Sequence, residues 1–311
     1  MPEQAERSYL TGLMGSGIGT SLSPALHQRE ADRHRIRLVY RTLDIDGRGE
    51  PTRAVAELMR AARTLRFDGL NVTHPCKQVV IEHLDALSPT AAALGAVNTV
   101  VLDGTRAVGH NTDAAGFASA FARDLPGAAT GHVVQLGAGG AGAAVAHALL
   151  TLGTGTLRIL DTDQDRAAQL ADSLAQRFGP GRARALATDR LPAALEEADG
   201  LVHATPVGMT AHPGIPLPPH LLQSRMWVAD IVYRPLETEL LRAARALGCR
   251  TLGGGGMVVF QAADAFRLFT GRSPHTELML ADLADLTGQS PGAGSGPGDS
   301  KSAGARHQEA G

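Results

Sequence analysis

The run Val133-Val134-Gln135-Leu136 passes directly into Gly137-Ala138-Gly139-Gly140-Ala141-Gly142 and then into an Ala-rich apolar stretch. Gly137, Gly139 and Gly142 have the spacing of a strand-to-helix turn that holds a pyrophosphate. The first allows the tight turn, the second lets phosphates reach the backbone, and the third packs helix on strand. Free N–H groups at the helix start then face the anion. In a chain with 37 Gly, a flexible loop is the competing reading. Asp161 weighs against it, because it ends the next strand-like run, where a carboxylate hydrogen-bonds ribose hydroxyls and repels a 2′-phosphate. NAD is therefore expected, with NADP possible. In the NADP reading Asp161 merely caps a helix starting near Gln164, and Arg166 takes the 2′-phosphate.

Hydrophobic periodicity extends this turn into a doubly wound unit. Strand His132–Leu136 is followed by helix 141–150, strand Thr156–Leu160, helix Gln164–Phe178 and strands 201–204 and 227–231. Upstream, strands 10–14, 39–45, Gly69–Val72 and 97–102 alternate with helices 24–35, 52–66 and 76–84, which predicts a further α/β layer with a largely parallel sheet. A chain of 311 residues can bury two such cores. Helix 114–125, ended by Pro126-Gly127, marks the boundary between them. After Gly253-Gly254-Gly255-Gly256, helices 257–270 and Thr276–Leu286 cannot add a strand and are expected to return to the first lobe. The expected α/β fold thus has two lobes: residues 1–113 with 257–287 bind substrate, and 114–256 bind the dinucleotide. Residues 288–311 lack large apolar side chains almost entirely and are expected to be disordered.

Composition narrows the function. No apolar run approaches the ~20 residues of a membrane span, and residues 1–7 lack the basic and apolar regions of a signal peptide. Cys76 and Cys249 are the only cysteines, too few for a disulfide framework or a zinc knuckle. A formal net charge of −2 with interspersed signs offers no basic stripe. The expectation is a cytoplasmic monomer or homodimer with a small-molecule substrate, no metal, no nucleic acid and no membrane partner.

Of 29 cationic residues 27 are Arg, and the two Lys are Lys77 and Lys301, the latter in the tail. Arg keeps its proton, whereas an amine can cycle one. The sparing of Lys77 is either chance or a requirement for an amine. Its surroundings favour the second reading. Asn71-Val72-Thr73-His74-Pro75-Cys76-Lys77 runs from a strand end to a Pro-started helix with the amine one turn in. Ser21-Leu22-Ser23-Pro24 sets two hydroxyls at another helix start, suited to a carboxylate, although Ser23 could be a plain N-cap. Ala96-Val97-Asn98-Thr99 adds an amide, and Gly109-His110-Asn111-Thr112-Asp113 ends on an acid. Taken singly, each Asn or Thr could be a turn former.

Together with Met257 and Gln261, these motifs resemble the shikimate dehydrogenase family in order and over nearly the whole chain apart from the tail. The resemblance implies a substrate held between the lobes and reversible oxidation of a ring hydroxyl of shikimate. It implies that Ser21 and Ser23 hold the carboxylate, and that Asn71, Thr73, Asn98, Tyr233 and Gln261 bind ring hydroxyls or edge the site. Lys77 and Asp113 would be the catalytic pair. The cofactor would lie on Gly137, Ala138, Gly139, Gly140, Ala141 and Gly142, with Asp161 or Arg166 at its ribose and Thr205, Ile231, Gly254 and Met257 near its nicotinamide end.

NADP-using members usually carry Asn-Arg-Thr where this chain has Asp161-Thr162-Asp163. That difference, with Tyr233-Arg234-Pro235-Leu236-Glu237-Thr238 and Phe266-Arg267-Leu268-Phe269-Thr270, is more similar to the NAD-dependent quinate/shikimate branch. Several quinate users have Thr or Gly in place of the second Ser of the clamp. Quinate is tetrahedral at C1 and shikimate trigonal, so the carboxylate leaves the ring at different angles. Retention of Ser23 tilts the expectation to shikimate, with quinate or an aminated analogue as alternatives. Rival readings are a non-catalytic hydroxy-acid sensor, against which Lys77 and Asp113 count, and a folate-type dehydrogenase, against which Ser21 and Ser23 count.

Overall fold

The computed structural model describes residues 7–104 and 106–288. Apart from Gly288, the tail expected to be disordered lies outside the described residues.

The first half folds as β1 (Ser8–Gly15), α1 (Ser23–Arg33), β2 (Arg37–Asp44), α2 (Pro51–Thr64), β3 (Gly69–Val72), α3 (Cys76–Val79), β4 (Ala86–Leu87), α4 (Pro89–Leu94), β5 (Thr99–Asp103), β6 (Arg106–His110) and α5 (Thr112–Asp124). Its six strands are ordered β2-β1-β3-β5-β6-β4. Only β5 runs against its neighbours, pairing antiparallel with both β3 and β6. Helix α2 shows why the layer forms: Ala54, Val55, Leu58, Met59 and Ala62 recur at helical spacing and are buried against the sheet, while Arg53 and Arg60 face water. Strands β4 and β6 and helix α4 were not anticipated, because each is short and carries little periodicity. The expected helix 76–84 is a single α-turn continued by a 3-10 turn, Val80–His83. Pro75 is its N-cap, so Lys77 is the second helical residue and not one turn in.

The second half continues with β7 (His132–Leu136), α6 (Gly140–Thr151), β8 (Thr156–Leu160), α7 (Gln164–Phe178), β9 (Ala183–Ala185), α8 (Leu191–Glu196), β10 (Gly200–His203), β11 (Trp227–Asp230), α9 (Glu239–Ala246) and β12 (Arg250–Gly253). All its strand pairs are parallel, in the order β12-β11-β10-β7-β8-β9. This is the doubly wound order, with its reversal between β7 and β10, where ligands bind outside the strand ends. Strands β9 and β12 have no counterpart in the expected elements because Ala-Arg-Ala and Arg-Thr-Leu-Gly lack an apolar run. Phe117 and Phe121 of α5 anchor this core, Phe121 meeting Trp227 edge-on at 4.9 Å.

Helices α10 (Gly254–Thr270) and α11 (Thr276–Leu286) come last. Helix α10 begins at Gly254, three residues earlier than the expected 257. Val259, Ala262 and Ala263 of α10 and Met279 and Leu283 of α11 share a core with Leu26 of α1, so the chain does return to the first layer. Helix α10 also crosses α5 closely: a Cβ on Gly116 would lie 2.8 Å from the Gln261 nitrogen. Buried Glu30 of α1 locks the α10–α11 connection, its Oε1 accepting the His275 backbone N–H at 2.7 Å and meeting His34 Nε2 and His275 Nδ1 at 3.0 and 2.9 Å. Among the described residues, no helix is long and apolar enough to cross a membrane.

Candidate active site

A cleft of about 1290 Å³ opens between the carboxyl ends of β1 and β3 on one side and those of β7, β8, β10 and β11 on the other. Arg234, after β11, reaches across it to the carbonyl of Thr20 before α1.

Lys77 and Asp113 meet on the wall of the cleft, each from the first turn of its helix, with Lys77 Nζ donating to Asp113 Oδ2 at 2.5 Å. Asn98 sets the carboxylate. Its Nδ2 donates to Asp113 Oδ1 at 2.8 Å and to Thr112 Oγ1 at 3.0 Å, while its Oδ1 accepts the Thr112 N–H at 2.7 Å. Asn111 caps α5 through the Ala114 N–H, which places Asp113 at that helix start. A carboxylate there is favoured by the helix dipole. Cys76, next to the amine, is no competing nucleophile: its thiol is buried and pushed up to about 11.

Opposite this pair, Ser21 Oγ lies 3.2 Å from Ser23 Oγ and accepts the Ser23 N–H at 3.3 Å, so two hydroxyls face one region of the cleft. Behind them Tyr40 donates to Asn71 Oδ1 at 2.8 Å. Burial pushes the Tyr40 hydroxyl well above its usual range, against a smaller opposing effect of a hydrogen bond with Ser23, and it stays a donor. Thr73, Tyr233, Met257 and Gln261 complete this end of the cleft.

The glycine turn forms the far end. Gly137 adopts φ +102°, a conformation only glycine takes readily, and a Cβ on Gly142 would lie 2.4 Å from the Gly137 carbonyl oxygen. Gln135 Nε2 ties the turn by donating to the Gly137 and Gly142 carbonyls at 2.8 and 2.9 Å. A Cβ on Gly139 or Gly140 would meet nothing within 4 Å. That open face, with no side chain capping α6, leaves its first N–H groups free to hold a phosphate. The turn therefore fits a dinucleotide. Asp161 lies beside it, accepting the Ala138 N–H at 2.7 Å and the Asp163 N–H at 2.9 Å. Burial works to raise this carboxyl, but Arg166 and the two N–H donors outweigh it and hold Asp161 below the usual carboxylate range.

Of the residues singled out from sequence, Ala138, Gly142 and Gly254 do not line the cleft. Gly254 is a packing contact, since a Cβ there would lie 2.4 Å from the Ile231 carbonyl oxygen. The other eighteen line it together, with Thr205 beside the turn at Gly137. Tyr40, Thr112, His203 and Asp230 stand directly behind the lining residues and went unrecognised. Thr112 sits inside the motif Gly109–Asp113; Tyr40 and the buried pair His203–Asp230 lie at unremarkable strand positions with no local signal.

A family model described as "Shikimate dehydrogenase substrate binding domain" matches residues 13–100. The chain is 66% identical over 281 residues to a Streptomyces avermitilis protein named "Shikimate dehydrogenase (NADP(+))", covering 90% of this chain and 97% of the relative. It is 47% identical over 281 residues to a Corynebacterium efficiens protein named "Quinate/shikimate dehydrogenase (NAD(+))", covering 90% and 99%. Among solved structures, quinate dehydrogenase from Corynebacterium glutamicum in complex with NAD is similar with a TM-score of 0.85 and 45% identity, covering 89% of this chain and 99% of that one.

Proposed function

The chain belongs to the shikimate dehydrogenase family, and from that premise we propose that it oxidises a ring hydroxyl of shikimate, and reduces 3-dehydroshikimate in reverse, with NAD as preferred cofactor. Enzymes of this family are nicotinamide-dependent oxidoreductases acting on CH–OH groups. The observation that carries the reading is the 2.5 Å contact of Lys77 Nζ with Asp113 Oδ2 in a cleft shared with the glycine turn.

A bound nicotinamide supplies the hydride acceptor. Lys77, as the free amine, takes the proton of the reacting hydroxyl at Nζ and, as ammonium, returns it in the reverse direction. Asp113, held by Asn98, keeps the amine aimed. Ser21 and Ser23 bind the carboxylate; Asn71, Thr73, Asn98, Tyr233 and Gln261 bind or border the ring. The substrate unit comprises the residues up to 113 with 257–287, and the dinucleotide unit 114–256.

Shikimate is favoured over quinate by Ser23 and by the name of the Streptomyces relative. NAD is favoured by Asp161, a carboxylate held ionised where a 2′-phosphate would approach. The Corynebacterium relative supports NAD but leaves quinate as a second substrate. Initial rates with shikimate and quinate, each with NAD and NADP, test the reading. The highest kcat/KM is expected for shikimate with NAD; a higher value with NADP overturns the cofactor assignment, and a higher value with quinate the substrate.

A further inference from the structure

His203 ends β10 and Asp230 ends β11, paired in register on neighbouring parallel strands. Both are buried, and neither has a place in the chemistry above. Their side chains form a file that emerges at the cleft: Asp230 Oδ1 lies 2.9 Å from His203 Nδ1, and His203 Nε2 lies 2.5 Å from Thr205 Oγ1, which lines the cleft.

The proton positions along this file follow from its other contacts. Asp230 Oδ1 already accepts the Val232 N–H at 3.0 Å. Asp230 Oδ2 accepts the Thr238 hydroxyl at 2.7 Å, and Thr238 Oγ1 itself accepts the Leu241 N–H at 3.2 Å. Asp230 is thus an acceptor on every side, and His203 Nδ1 carries a hydrogen toward it. The neutral ring then has a bare Nε2, as in acid–imidazole–hydroxyl triads where the acid selects the tautomer. The single Thr205 hydrogen is consumed by His203. What Thr205 Oγ1 shows the cleft is lone pairs, one engaged by the Val207 N–H at 3.3 Å.

We propose that His203 and Asp230 are positioning residues that hold the Thr205 hydroxyl as a hydrogen-bond acceptor, and that Thr205 thereby reads the N–H of the nicotinamide carboxamide. The inference rests on the dinucleotide reading of the cleft. It predicts discrimination against a dinucleotide in which the carboxamide NH2 is replaced by methyl, because that analogue keeps the carbonyl and loses only the donor.

The test is equilibrium binding to the full-length protein, measured by titration calorimetry, of NAD, its 3-acetylpyridine analogue, and ADP-ribose, which lacks the ring. The wild type is expected to bind NAD ~10-fold more tightly than the analogue, the worth of one good hydrogen bond. Thr205→Val, at a partly exposed position, should bring that ratio to ~1, and Thr205→Ser should restore it. His203→Asn, which keeps a donor for Asp230 but cannot reach Thr205, should lower the ratio without weakening ADP-ribose. If His203→Asn loses ADP-ribose as well, the double variant His203→Leu with Asp230→Asn takes its place, removing the ring without leaving a carboxylate unpaired. A ratio unchanged in Thr205→Val overturns the carboxamide contact. One unchanged in a His203 variant that binds ADP-ribose overturns the positioning role. Failure of the wild type to bind either NAD or ADP-ribose instead sinks the dinucleotide reading beneath it.

Discussion

Arg166 grips both carboxylate oxygens of Asp161, its Nη2 at 2.6 Å from Oδ1 and its Nε at 3.3 Å from Oδ2. The acid that would favour NAD and the guanidinium that would favour NADP are therefore one ion pair, with Asp161 buried and Arg166 half-exposed. Asp161 cannot withdraw, because it also accepts the Ala138 N–H of the glycine turn. Arg166 can swing away. A ribose 2′-hydroxyl can take its place on Asp161 as a donor, whereas a phosphate brings like charge to the carboxylate. Asp161→Asn should raise the NADP to NAD ratio of kcat/KM by ~10-fold or more, through KM for the cofactor. No change in that ratio removes Asp161 from the choice.

Lys77→Arg keeps a cation that can pair with Asp113 but cannot be deprotonated in a protein. Turnover should fall by ~10²-fold or more in both Lys77→Arg and Lys77→Ala, with shikimate still bound by equilibrium titration. Near-normal turnover in the Arg variant would show that charge alone suffices.

Removal of the Asn98 amide strands the Asp113 Oδ1 and the Thr112 N–H in a buried setting. Asn98→Ala should cost ~1–3 kcal/mol of unfolding free energy, the usual penalty for unpaired buried groups, and lower kcat through loss of Asp113 orientation. Intact kcat in a destabilised variant would confine Asn98 to a folding role.

Ser21→Ala and Ser23→Ala each remove one of two neighbouring hydroxyls. Each should raise KM for shikimate by ~10-fold, about one hydrogen bond to a charged group, with less effect on kcat. An unchanged KM in both variants leaves the carboxylate clamp without support.

Legibility of the chain followed the length of the signal. The turn at Gly137–Gly142 and the long helices of 3.6 periodicity were visible because each is a contiguous pattern. Lys77 and Asp113 were visible as a compositional exception and a motif end, although their 2.5 Å contact was not. Strands such as Ala183–Ala185 and Arg250–Gly253 were not visible, since Ala-Arg-Ala and Arg-Thr-Leu-Gly carry no run of apolar or β-branched residues. Tyr40 behind Ser23 and Asn71, and the file Asp230–His203–Thr205, depend on pairings between distant strands. No local spacing encodes these, and the same holds for the embrace of Asp161 by Arg166.

The pH dependence of stability should centre on His27 of α1. Its ring is fully buried, with Tyr40, Phe269 and Phe266 at centroid distances of 5.0, 5.9 and 6.2 Å, and neither nitrogen has a partner. Burial lowers its pKa from 6.5 to about 4, against a smaller upward pull from Glu30. Between those values the unfolded chain binds the proton and the folded chain excludes it, so stability rises with pH through this window and is fully present above it. The shift corresponds to a loss on the order of 3 kcal/mol on acidification from above pH 6.5 to about 4. Burial works to raise the Glu30 carboxyl, but hydrogen bonds from His275 and Arg33 outweigh it and hold it below the usual carboxylate range, so it adds its own loss only at lower pH, as the pH falls through its folded value. Denaturant unfolding of wild type and His27→Leu across pH 4–7 separates the two. The variant should be at least as stable at pH 7, having lost two unpartnered nitrogens, and should lose less stability than the wild type between pH 6.5 and about 4.5, the remaining slope coming from His110 and His147, whose pKa values burial also lowers. Parallel pH profiles for the two proteins would place the acid sensitivity elsewhere in the fold.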